Sequence, residues 1–85
     1  MRRSIDDALD DHPADDSERP PVSWAVALGD DCEACGDGAL RVVLTVEEAG
    51  RAGTGLVAHL APDTARRLRA ALAAALAEIG EPSGA

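Results

Sequence analysis

Leu40-Arg41-Val42-Val43-Leu44-Thr45-Val46-Glu47 is the stretch whose reading decides the fold. Leu40, Val42, Leu44 and Val46 alternate with Arg41, Val43, Thr45 and Glu47, so an extended backbone puts an unbroken apolar row on one face. The β-branched residues Val42, Val43, Thr45 and Val46 suit a pleated surface better than a helix. The spacing predicts a half-buried strand over 40–47.

The flanking sequence repeats the signal. After Pro20-Pro21, Trp24, Val26 and Leu28 alternate with Ser23, Ala25 and Ala27, and Gly29 ends the run, which reads as a second strand. Downstream, Gly50-Arg51-Ala52-Gly53-Thr54-Gly55 is a glycine-rich turn and Leu56-Val57-Ala58-His59-Leu60 a third short strand. Gly53 and Gly55 share a GxG spacing with phosphate loops, but no glycine follows three residues on and the next element is a strand, so the hairpin reading holds. Connections this short join antiparallel neighbours, giving a three-stranded meander.

A helix follows over 62–79. Pro62 fits the first helical position, where a missing N–H costs nothing, Asp63 favours the positive end of the dipole, and Gly80 with Pro82 ends the element. Ala61 stands where Ser, Thr or Asp caps best. Ala65, Leu68, Leu72, Ala75, Leu76 and Ile79 share one arc of about 100°, enough to lie on one sheet face. Arg66, Arg67 and Arg69 spread around the helix instead of forming one basic patch, so surface ion pairs are their expected use.

The expected class is therefore α+β, a βββα domain over 21–80. Residues 1–20, rich in Asp, Pro and Ser and poor in large apolar side chains, read as a disordered acidic tail. Residues 81–85 read as a disordered C-terminus. A single helix covers one face of a sheet only, and Trp24, Val43 and Val57 cannot all lie on that face. A homodimer is the expected remedy, with Trp24, Val43, Val57, Leu68 and Leu72 as interface candidates.

Composition narrows the functions. The 85 residues carry eight Arg, no Lys, and sixteen acids, for a net charge of −8. That balance repels phosphate backbones and anionic lipid surfaces, so neither nucleic acid nor membrane is an expected partner. Arg2 and Arg3 are not followed by a continuous apolar stretch, and no long apolar run follows elsewhere, so a cytoplasmic location is expected. Ser23, Thr45, Thr54 and Thr64 are scattered relative to His59, which leaves no nucleophile and base pair. No catalytic residue is assigned.

Cys32 and Cys35 form a single CxxC in a loop, Asp30 to Gly38, that holds four acids and no base. Half of a zinc site, a redox pair and two idle thiols are all compatible with it. A structural zinc site has four ligands; here only His59 and His12, or the CxxC of a second protomer, could complete it. A redox role needs a stabilised thiolate, whereas Asp30, Asp31, Glu33 and Asp37 are expected to raise the thiol pKa. The same acids favour a bound cation.

The segment Gly55-Leu56-Val57-Ala58-His59-Leu60-Ala61-Pro62-Asp63-Thr64-Ala65-Arg66-Arg67-Leu68 resembles a strand-then-helix ending of small proteins of high-GC bacteria. The resemblance implies no activity, and the usual Ser or Thr cap is Ala61 here. The leading expectation is a non-enzymatic, homodimeric binding or accessory protein that acts through contacts with an unidentified protein partner and needs no cofactor. A zinc protein using Cys32 and Cys35, with or without His59, is the alternative, and a thiol-disulfide redox protein the second alternative.

Overall fold

The computed structural model describes residues 1–84. It is α+β: four antiparallel strands in the order β1-β2-β3-β4, then one C-terminal helix. The strands are β1 (Arg2–Leu9), β2 (Val22–Gly29), β3 (Arg41–Glu48) and β4 (Leu56–Leu60), and the helix α1 spans Pro62–Glu78. β2, β3, β4 and α1 lie where the apolar periodicity puts them. Ala61 caps α1 with no side-chain hydrogen bond, and Ile79 is its C-cap.

The first strand corrects the three-stranded expectation. Arg2–Leu9 pairs with β2 across its length, with a bulge at Ile5 between the pairs Ser4↔Ala27 and Asp6↔Val26. Every residue of β1 is exposed, so no apolar alternation marks it. It is held by the backbone ladder and by polar ties at its ends. Asp10 N–H donates to Val22 O, the Val22 N–H donates to Asp10 Oδ1, and Arg2 pairs with Asp31. A charged edge strand of this kind also discourages pairing with other chains. Residues 81–84 carry no regular structure, and Ala85 of the predicted C-terminal segment lies outside the described residues.

Register separates the two faces. Pairing of Trp24 with Val46, Val26 with Leu44, and Leu28 with Val42 on one side, and of Leu60, Ala58 and Leu56 with the same β3 residues on the other, assembles one apolar face. α1 lies over this face, touching β3 and β4. The opposite face carries Ala27, Val43, Val57 and His59, and the loop between β2 and β3 folds onto it.

Gly55 is required by a close approach. A Cβ there would fall 2.3 Å from Val46 O and 2.3 Å from Glu47 Cβ, nearer than any side chain tolerates. The glycine-rich turn read from the sequence is thus also a steric requirement where β4 begins.

The chain closes only a small core by itself. Val43, 2% exposed, is the one buried hydrophobic side chain among the described residues. Its burial removes it from the expected interface set, because it has no area left to give a partner. The other candidates differ: Trp24 is half-buried, while Val57, Leu68 and Leu72 are exposed. The stripe of α1 expected to seal the sheet stands off it across an open groove of about 530 Å³, and no residue of α1 is buried.

Candidate metal centre

The loop between β2 and β3 is built to present two sulfurs. Cys32 is the N-cap of a single 3-10 turn, Glu33–Cys35, and Gly36 follows with φ 77° in the left-handed region. That conformation costs a residue with a Cβ about 1–2 kcal/mol and costs glycine nothing. The tight turn and the reversal after it bring both thiols to the same side. Both cysteines are free and half-buried.

The third donor comes from β4. His59 pairs with Val43 in the ladder, so it lies on the sheet face that the loop covers. Its Nδ1 is 3.7 Å from Cys35 Sγ. Donor atoms of Cys32, Cys35 and His59 all lie within 4.8 Å of one another. Zn–S bonds of about 2.3 Å and Zn–N bonds of about 2.0–2.1 Å at the tetrahedral angle require S···N edges of about 3.6 Å and S···S edges of about 3.8 Å. The observed separations match those edges to within about 1 Å, a shift that side-chain rotation covers.

Three of the four acids of the loop, Asp30, Asp31 and Asp37, are tied to cations. The amino group of Met1 pairs with Asp30 Oδ1 at 2.5 Å. Arg2 pairs with Asp31 at 3.5 Å. Arg41 meets Asp37 with two parallel hydrogen bonds of 2.8 and 3.0 Å, the fork geometry in which guanidinium binds carboxylate best. This guanidinium, with the Ala39 N–H, holds the Asp37 carboxyl well below the usual carboxylate range.

The turn alters the expectation for one of the two thiols. The Cys32 thiol lies below the ordinary value, first because the Cys35 N–H donates to its sulfur, then because the Cys35 thiol does, with the Ala34 N–H and the Arg41 charge adding to the effect. The Cys35 thiol is raised, chiefly by that same hydrogen bond to Cys32 and then by desolvation, with only a small part from Asp37. At Cys32, though not at Cys35, the donors of the turn outweigh the acidic sequence around it.

His12, the other histidine considered for such a site, lies at the opposite end of the sheet in the β1–β2 loop. It pairs there with Asp16 at 2.9 Å and shares a surface with Val22 and Glu48. In the sequence His59 is one histidine in a short strand, a position that a half-buried strand residue fills equally well. Counting register across the hairpin from Val43 is the signal that singles it out.

The three donors are the set that zinc and other thiophilic divalent ions take, and they supply three of four tetrahedral positions. Comparison of the chain with protein-family models, with curated proteins and with solved structures finds no match.

Proposed function

We propose that the protein is a small, non-enzymatic, homodimeric accessory protein of the cytoplasm that holds one thiophilic divalent cation, zinc by donor preference, on Cys32, Cys35 and His59. The observation that carries this reading is the convergence of three donors from two elements at tetrahedral spacing. Two residues of a lone CxxC need no such third partner, and a strand histidine placed by chance has many other directions to point. Stabilisation of the Cys32 thiolate by the 3-10 turn supports it further, because a metal ligand must be deprotonated.

Three protein ligands leave one coordination position for water or for a group of a partner molecule. That position is where an accessory role through protein contacts joins the metal. Direct titration of metal-free protein with zinc against a chromophoric competitor is the test. One zinc per chain is expected, with none bound by the double variant Cys32→Ser, Cys35→Ser. Stoichiometry unchanged by that double substitution would remove the assignment.

The inequality of the two thiols favours a second reading, a dithiol that reduces a partner's disulfide to two thiols while Cys32 and Cys35 are oxidised to one disulfide. In that case Cys32 is the attacking sulfur. Added zinc separates the two readings: it protects both thiols from oxidation if they are ligands, and leaves the oxidation rate unchanged if they are not.

A further inference from the structure

We propose that the groove between α1 and the apolar sheet face is filled by α1 of a second copy, so that two chains close each other's cores about a twofold axis. The proposal rests on the homodimeric part of the reading above and assigns its surface. The chain exposes 6536 Å², whereas a folded monomer of this mass exposes about 4,700 Å². Its radius of gyration is 14.9 Å against about 12 Å for a compact chain of this length. The excess, roughly 1,800 Å² per chain, covers the more than about 1,000 Å² per chain that obligate dimers bury.

Part of the excess lies where a second copy fits. Leu72, 60% exposed, and Leu68, 38% exposed, line the groove, and Leu56, 84% exposed, lies on the same sheet face beside Val46. That surface carries both parts of a self-complementary contact, an apolar helix ridge and a groove floored by Val26, Val42 and Leu60. The parts also match in length: 17 helical residues span about 25 Å, and the eight-residue strands β2 and β3 span about 26 Å. A twofold axis puts each ridge into the other's groove with the same contacts made twice. A net charge of −8 on each chain opposes association over distance, so the attraction must come from this apolar face and strengthens as salt screens the charge.

One consequence concerns the metal centre. Cys32, Cys35 and His59 lie on the opposite face, so dimerisation here leaves each donor set within its own chain. A four-cysteine site shared across the axis is incompatible with this interface.

Sedimentation equilibrium of the full chain, with three variants, tests the proposal. Wild type is expected to be a dimer at micromolar concentration, with a dissociation constant that falls as salt rises. Leu72→Asp, which buries a charge in the contact, is expected to raise that constant at least 100-fold, about 2.7 kcal/mol for the dimer as a whole at 1.36 kcal/mol per decade. Leu72→Ala preserves helix propensity and is expected to raise it about tenfold, which keeps the proposal testable if the charged variant misfolds. Val57→Asp, on the metal-bearing face, is expected to leave it unchanged. A wild-type monomer overturns both the dimer and its interface. A wild-type dimer that Val57→Asp dissociates and the Leu72 variants do not overturns the assigned surface alone.

Discussion

Replacing His59 with Ala removes one donor and leaves both sulfurs in place. His59 is exposed, the penultimate residue of a short strand, and its backbone pairing with Val43 does not depend on the ring, so the fold is expected to persist. The energetics of zinc sites set the size of the loss. A structural zinc held by four ligands contributes about 10–16 kcal/mol of apparent binding free energy near neutral pH. An even share per ligand is about 2.5–4 kcal/mol, and water, which replaces the imidazole, recovers only part of it. At 1.36 kcal/mol per decade the full share is roughly 100- to 1,000-fold, so with water recovering part of it zinc affinity is expected to fall by roughly 30- to 300-fold. Competition titration against a chelator of known affinity measures it, with circular dichroism confirming that the helix remains. His12→Ala is the matched control and is expected to change nothing, since His12 sits at the far end of the sheet against Asp16. Equal affinity for wild type and His59→Ala would refute the reasoning, because the 3.7 Å approach to Cys35 Sγ would then have no bearing on the metal.

Four further outcomes follow from the same geometry. With metal absent, Cys32 is expected to alkylate faster than Cys35 near pH 8, because the Cys35 N–H and thiol stabilise the Cys32 thiolate and raise Cys35 in turn; peptide mapping after brief iodoacetamide treatment reads the order. Gly36→Ala puts a Cβ at φ 77° and is expected to cost about 1–2 kcal/mol of zinc binding through the misplaced sulfurs, measurable by the same competition. The Asp37 carboxyl is depressed by Arg41, so whatever the pair adds to stability is present above its unfolded value near pH 4 and is lost as pH falls through the lower folded value. Denaturant midpoints of wild type are accordingly expected to drop more on acidification than those of Asp37→Asn, by a small amount because the pair is exposed. Gly55→Ala is expected to lower the thermal midpoint markedly, since its Cβ meets the Val46 carbonyl at 2.3 Å.

Much of the fold is legible in the sequence because most of it is written in periodicity. The alternation around Leu40 to Glu47, the Pro62 start and the Gly80 stop each follow from a local physical preference, and the structure places β3 and α1 accordingly. β1 is not written that way. Its residues bury nothing, so its strand state comes from pairing with β2 and from ion pairs to a loop some 29 residues away, and composition alone reads it as a solvated tail. The site divides in the same manner. Cys32 and Cys35 stand out by spacing, whereas His59 joins them through strand register and the path of the loop, which are tertiary facts. The thiols depart from the sequence expectation at Cys32 alone, for a related reason: charge counting sees the acids of the loop, but not the Cys35 N–H and thiol that hold the Cys32 thiol down, while Cys35 is raised, chiefly by its bond to Cys32.

The measurement that bears most directly on the metal centre is a cobalt titration of the metal-free protein followed by absorption. Cobalt reports ligand type and geometry together. The expected result is saturation at one cobalt per chain, with a sulfur-to-metal charge-transfer band of two-thiolate intensity and the intense visible bands of a tetrahedral ion, all displaced by one equivalent of zinc. A spectrum with the weak visible bands of six oxygen ligands and no charge transfer would contradict a centre built on Cys32, Cys35 and His59.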